Sequence, residues 1–313
     1  MAGSLSAQTL TDVINEFNEG VAKVNNQEYD ASLEHFNQVV TLAGVVGDSA
    51  SDMKAKAEEL IPASYYKQAL LFLKRKQFDN AIPYLESTIE KAAEYSNNEE
   101  SATKAKRYLM QSYMMEAQRN MKNESYDQSL DYFDKALEIG PKLYQAHYGK
   151  GMIFMGQDDI DPMLEEFKLA KEGALAKNDA KTVGNIDEAI NAYYNKLIKE
   201  EYEAVDPEEA DYSYVVEACE NALNANPDNP RAYYYLALVS NKQIEYDAAI
   251  ENALKGIPLE TDPVWQSALY LELGHAYQNT AEYDKACETL KKVTEDPFLT
   301  SAERKLGNIP GCN

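Results

Sequence analysis

The chain is poor in the residues that build catalytic and metal sites: 313 residues contain three cysteines, three histidines and one tryptophan. Cys219, Cys287 and Cys312 are odd in number and far apart, which argues against a disulfide framework and reports no compartment. Cys219 and Cys287 fall on apolar-periodic stretches where burial is expected, and Cys312 is expected to be free in the tail. No run approaches the roughly eighteen uninterrupted apolar residues of a membrane-spanning helix, so no membrane insertion is expected. Basic side chains are outnumbered, 30 against 53 acidic, and the net charge of −23 argues against neutralising nucleic-acid phosphates or docking on an anionic leaflet. His-Glu-x-x-His, Cys-x-x-Cys, Gly-x-Ser-x-Gly and Gly-Lys-Ser/Thr are all missing. Catalytic residues, metal ligands and cofactors are therefore not expected, and the chain does not read as an enzyme.

What is present is a foldable composition, 44% hydrophobic, with 23 tyrosines against 8 phenylalanines, the balance expected of many half-buried aromatic positions with one wet edge. The first residues are ambiguous. Leu5-Ser6-Ala7 before Gln8 looks like the small-residue end of a secretory signal, which would make the protein periplasmic or otherwise exported; a plain cytoplasmic start reads the same way.

One pattern recurs along the chain: an aromatic residue or Ile, then Asp, any residue, a small residue, Leu or Ile, two polar positions and a bulky residue. Its instances are Tyr29-Asp-Ala-Ser-Leu-Glu-His-Phe36, Phe78-Asp-Asn-Ala-Ile-Pro-Tyr-Leu85, Tyr126-Asp-Gln-Ser-Leu-Asp-Tyr-Phe133, Ile160-Asp-Pro-Met-Leu-Glu-Glu-Phe167, Tyr246-Asp-Ala-Ala-Ile-Glu-Asn-Ala253 and Tyr283-Asp-Lys-Ala-Cys-Glu-Thr-Leu290, with Tyr212 to Cys219 as a weaker seventh lacking the Asp. Successive starts lie 49, 48, 34, 52, 34 and 37 residues apart. Upstream, small residues stand where a partner helix would cross: Gly20, Ala69, Ala117, Gly151, Ala237 and Gly274.

This pattern and its 34-residue spacing resemble the tetratricopeptide repeat, and the resemblance covers about Phe17 to Val293. It implies an all-α fold, an α-solenoid in which antiparallel helix pairs, A and B, stack into a right-handed superhelix. Residues 1–10 are expected as a disordered arm or signal remnant, 11–298 as the solenoid, with B helices starting near 29, 78, 126, 160, 212, 246 and 283, and 299–313 as a C-terminal cap and tail. The three long spacings fit lengthened helices better than inserted domains. Gly44 and Gly47 mark a loop between Thr41 and Asp52, and Pro62 either opens the second A helix or kinks a longer one. Asn98 is placed to cap the third A helix. Gly140-Pro141, Asn226-Pro227 and Asp296-Pro297 read as B-helix terminators. In the irregular segment 171–211, the stretch from Ala170 to Asn178 reads as a connector and Asp206-Pro207-Glu208-Glu209 as a capped helix start.

In proteins of this kind the A helices line a concave groove. The positions facing it here are Tyr66, Leu70 and Lys74 in repeat two; Met114, Gln118 and Lys122 in repeat three; Tyr148 and Met152 in repeat four; Arg231, Tyr234, Leu238 and Lys242 in repeat six; and His275 in repeat seven. Lys74, Lys122 and Lys242 occupy equivalent slots, so the resemblance implies a Tyr- and Met-lined inner face with cations, suited to an acidic or C-terminal peptide. The plainer reading is that last-turn lysines complement helix dipoles and aromatic stripes are core. Chaperone-tail binders of the family carry a clamp of Lys and Asn at fixed slots; Phe17 and Val21, or Tyr148 and Met152, stand there instead, so that partner is not expected. The function expected is a non-catalytic scaffold or adaptor binding a peptide or partner helix. The alternative is an exported glycan- or small-molecule-binding accessory protein that uses Tyr233 to Tyr235 as stacking platforms. The oligomeric state is not legible.

Overall fold

A computed structural model describes residues 9–95 and 99–312. The N-terminal arm up to Gln8 and the cap expected at Asn98 lie outside the described residues. The described residues form helices and turns with no strand, and they divide into two compact units, 1–173 and 174–313.

In the first unit, α1 (Leu10–Asn25) pairs with α2 (Tyr29–Val46), α3 (Ser51–Lys74) with α4 (Phe78–Glu94), α5 (Glu99–Lys122) with α6 (Tyr126–Ile139), and α7 (Tyr144–Gly156) with α8 (Ile160–Ala176), whose last turn crosses into the second unit. The second unit continues with α9 (Ala180–Ala204) and α10 (Ser213–Ala225), α11 (Pro230–Lys242) and α12 (Tyr246–Gly256), α13 (Pro263–Asn279) and α14 (Tyr283–Leu290), and ends in α15 (Leu299–Gly307). In the first unit each helix from α1 to α6 packs on the next and α7 packs on α8 through Phe167; in the second, each helix from α9 to α14 packs on the next. The A helices also touch in file, α1 with α3, α3 with α5 and α5 with α7 in one unit, α9 with α11 and α11 with α13 in the other. This is the α-solenoid arrangement, in which every hairpin buries an apolar face that it cannot bury alone.

Close crossings depend on absent side chains. A Cβ on Gly20 would lie 2.7 Å from the Phe36 ring, on Gly151 2.5 Å from Phe167, and on Gly274 2.6 Å from Leu290. In each case the bulky B-helix residue enters the gap left by the small residue of its own A helix. Phe133 departs from this rule, because its ring also meets Gly149 of the following hairpin. The Gly149-Lys150-Gly151 triplet thus lies inside α7 and serves packing on both sides.

Six of the seven A-to-B turns share one geometry. The second residue beyond the A helix lies at φ near +60°: Gln27 (61°), Lys76 (57°), Glu124 (60°), Asp158 (56°), Ile244 (67°) and Ala281 (63°). The next amide closes the helix end by bonding five residues back, as Glu28 N does to the Lys23 carbonyl at 2.9 Å and Glu245 N to the Ser240 carbonyl at 2.8 Å. This is a Schellman closure without the usual glycine. The following helix then starts on the aromatic residue or Ile, and Asp30, Asp79, Asp127, Asp161, Asp247 and Asp284 place a negative charge in its first turn, where the helix dipole favours it.

Several expectations are corrected. The α8–α9 connection is not a nine-residue connector: α8 runs to Ala176, and Asn178 at φ 56° makes the same closure as the A-to-B turns. Asp206 to Glu209 opens no helix; Asp206 Oδ1 accepts from Glu208 N at 2.8 Å in a tight turn, and α10 begins at Ser213. Gly44 is helical, so only Gly47, at φ 82°, breaks the chain there. Of the two readings of Pro62, only the opening of the helix is excluded; it lies buried in the middle of the longer, 24-residue α3. The last B helix, α14, ends at Leu290, well before Asp296-Pro297. Finally, Cys312 is not free. It is joined to Cys287 of α14 across a sequence separation of 25 residues, and together with buried Ile309 this holds the tail on the last repeat.

Three predictions follow from the packing and the disulfide. Gly151→Ala should lower the unfolding free energy by about 1 kcal/mol or more, because overpacking against the fully buried Phe167 costs about 1–3 kcal/mol while the better helix former returns only about 1. Gly184→Ala, in α9 with open space around it, should raise stability by about 0.5–1 kcal/mol. Urea denaturation of the two variants decides both signs. Cys312→Ser should cost about 3 kcal/mol from the released loop and abolish the effect of a thiol reductant on melting, with non-reducing peptide mapping recovering Cys287 and Cys312 in one species only in the parent chain.

Candidate functional site on the A helices

In the first unit the groove positions do not form one continuous cluster. Tyr66 on α3 is half-buried with its ring 6.3 Å from Tyr108 of α5, and burial pushes its phenol upward. Leu70 is partly covered, and Lys74 at the end of α3 is exposed. Met114 packs against two hydrophobic clusters, one centred on Leu85 and Leu109 and the other on Phe133 and Ile153, so it is largely structural. Gln118 and Lys122 are exposed on α5. Tyr148 sets its ring 6.1 Å from Phe167 of the paired α8, and Met152 is partly covered on α7. The sequence reading missed a polar knot beside Tyr148: Glu166 accepts from Lys150 Nζ at 2.7 Å and meets His147 Nδ1 at 2.6 Å, and Lys150 also reaches Asp134 at 2.7 Å. The i, i+3 spacing of His147 and Lys150 on one helix, opposite Glu166, was the available signal.

The second unit brings its aromatics together. Tyr212 stacks on Tyr202 at 6.3 Å, Tyr202 meets Tyr235 at 5.5 Å, Tyr235 is edge-on to Tyr234 at 5.0 Å, and Tyr234 is edge-on to Trp265 at 5.3 Å. Five rings from α9, the α9–α10 turn, α11 and α13 thereby form one file. A cation stands at each end. The Arg231 guanidinium lies 3.8 Å over the Trp265 ring, and Lys242 Nζ lies 5.9 Å from the centres of both Tyr202 and Tyr212.

Local sequence explains the placement. Asn229 caps α11 by accepting from Arg231 N and Ala232 N, with Pro230 in the first turn, and Asp262 and Pro263 do the same for α13. Arg231 is then fixed by Glu260, whose Oε2 accepts from Nε at 2.7 Å, and by Asp262 at 3.6 Å. Tyr234 and Tyr235 are buried at 8% and 7% exposure, so the faces of two of the three tyrosines at 233–235 are already occupied by neighbouring rings. At the other end Tyr202 and Tyr212 are half-buried and Lys242 is exposed. Tyr202, Tyr212 and Trp265 were not among the groove positions read from sequence, because they belong to three separate segments that only folding brings together.

Beneath the file, buried Asn241 donates from Nδ2 to the Glu272 carbonyl at 3.0 Å and to Glu272 Oε2 at 2.8 Å. Burial raises the Glu272 carboxyl well above its ordinary range, against the opposing bond from Asn241 and the charges of Lys305 and Lys242. Leu238 is half-covered on α11. His275, half-buried one turn along α13 from Glu272, is held below the usual imidazole range by burial and by Lys305. Cys219 is buried in α10, its thiol pushed up to about 12 by burial, which makes it inert. Among the described residues no group of three or more His, Cys, Asp or Glu could hold a metal ion, and no helix is long and apolar enough to cross a membrane.

Residues 63–94 and 267–295 each match a family model for the tetratricopeptide repeat. These stretches are the hairpin of α3 and α4 and that of α13 and α14, so the chain carries tetratricopeptide repeats at both places. A search of curated proteins finds no match. Among solved structures, the TPR2AB domain of yeast Sti1 in complex with an Hsp90 peptide is similar at 18% identity over 95% of this chain and 92% of that one, with a TM-score of 0.34. The C-terminal part of a TPR repeat-containing protein from Cytophaga hutchinsonii is similar at 15% identity over 92% and 98%, with a TM-score of 0.35. YrrB, described as a TPR protein with an unusual peptide-binding site, is similar at 18% identity over 62% and 91%, with a TM-score of 0.29.

A pH prediction follows from Glu272. Its folded-state pKa lies above the unfolded value, so the native state holds its proton longer and stability declines as pH rises from the unfolded pKa through the folded one, then levels off. Glu272→Gln should remove that decline. The melting-temperature difference, variant minus parent, should grow between pH 4 and pH 7; a constant difference would contradict the assignment.

Proposed function

We infer that the chain is a protein-interaction scaffold, a reading its tetratricopeptide repeats support. We propose, more specifically, that the second unit binds a segment of a partner protein, a peptide or an amphipathic helix, along the A-helix face that carries the aromatic file. The observation behind this reading is the file itself, five rings with a cation at each end. Tyr202 and Tyr212 offer adaptable amphipathic surface at low entropic cost, Lys242 adds a charge that selects acidic or carboxylate-bearing side chains, and the Tyr234–Trp265–Arg231 end, with Tyr234 buried and Arg231 held by Glu260, keeps the platform rigid. A rigid face loses little freedom on binding, which favours recognition of short segments.

Trp265 is the one tryptophan of the chain and sits inside the file, so its fluorescence reports on the site directly. Titrating an array of synthetic acidic, neutral and basic helical peptides should reveal ligands that shift Trp265 emission. The double variant Tyr202→Ala with Lys242→Ala should weaken the best of them at least tenfold while leaving the melting temperature within a few degrees. Unchanged affinity in a folded double variant would remove the aromatic file as the binding face.

A further inference from the structure

At the end of the second unit, α15 and the tail fold back beside α13 and the start of α14 to leave an open cleft of about 580 Å³. Its chemistry is the reverse of the chain's. In a protein with 53 acidic and 30 basic side chains, this cleft is lined by Arg304 and Lys305 of α15, by the His275 ring, and by the amides of Gln278 and Asn308; no Asp or Glu lines it among the described residues. Neither Arg304 nor Lys305 has a carboxylate within ion-pair distance among the described residues, whereas Lys91, Lys104, Lys135 and Lys255 each pair with one a helical turn away. Lys305 is half-buried, and burial depresses its ammonium against the pull of Glu272 beneath it. Glu272 offsets it only in part, because that carboxyl is itself buried and pushed toward its neutral form.

The cleft is also built in advance. Buried Ala302 and Ile309 and the Cys287–Cys312 bridge fix α15 and the following turn on the last hairpin, so the donors need not be ordered by a ligand. Its volume falls within the roughly 300–1,000 Å³ of sites for organic ligands, far more than a single inorganic ion fills.

We infer that this cleft is a carboxylate-binding site that receives an acidic segment of a peptide, with Arg304 and Lys305 supplying charge and Gln278, Asn308 and His275 supplying directional polar contacts. This deepens the protein-interaction reading and rests on it: the acidic segment belongs to the kind of partner proposed for the aromatic file, but it is read by different residues, on the cap helix rather than on α9 and α11.

The test is isothermal titration of the full chain with acetyl-tetraglutamate amide, acetyl-tetraglutamine amide and sodium phosphate. The glutamate peptide should bind, with affinity falling as salt rises, and the glutamine peptide should not. Arg304→Gln with Lys305→Gln should weaken the glutamate peptide at least tenfold, and the exposed Arg304→Gln alone should weaken it severalfold without altering the fold, whereas Lys168→Gln, an exposed cation of α8, should leave it unchanged. No binding of the glutamate peptide, equal binding to the folded single and double variants, or phosphate binding as tightly as the peptide would overturn the assignment. Failure here, with Trp265-reported binding at the aromatic file intact, would remove only the cleft; loss of the Trp265 response alone would remove only the file.

Discussion

The structure depends on the crossing of unequal side chains between paired helices. Phe36 fits over Gly20, Phe167 over Gly151 and Leu290 over Gly274, and in each case a single added methyl group would collide with a ring or a branched chain that has nowhere to go. Such contacts set the distance between helices, and that distance sets everything outside them. Because the A helices then come close enough to touch in file, side chains from α9, α11 and α13 share one surface, and rings from distant parts of the chain meet at 5.0 to 6.3 Å.

The fold was legible because its signals are local. A bulky residue at a fixed offset from a small one, with an aromatic-Asp pair opening the second helix, is enough to specify an antiparallel pair, and the 34-residue period follows from stacking such pairs. What stayed hidden has a physical reason in each case. The A-helix ends use Gln27, Lys76, Glu124, Asp158, Ile244 and Ala281 in the left-handed region, where glycine would have announced the turn. The α8–α9 turn does the same with Asn178, so a connector was expected where two long helices nearly meet. Cys287 and Cys312 carry no spacing signal, since their pairing depends on the path of the tail after α14.

The candidate site divides the same way. Arg231, Tyr234, Lys242 and His275 could be picked out because they lie at regular places in A helices, yet their roles differ. Arg231 is held by Glu260 and stacked on Trp265, and Tyr234 is nearly buried, so both stiffen the surface rather than present it. Tyr202, Tyr212 and the Arg304–Lys305 pair complete the two proposed binding surfaces from a lengthened helix, an irregular turn and the cap. These are the places where the chain departs from a regular repeat, and periodicity says nothing about them.

The bridge between α14 and the tail has a consequence for how the second unit comes apart. In a stack whose members are stabilised mainly by their neighbours, the last one ordinarily peels away first, having a partner on one side only. Here a covalent bond joins α14 to the tail beyond α15. The last B helix, the cap helix and the tail are thereby tied into one loop, so the cap cannot fray away from α14 on its own and the end of this unit must open as a single piece.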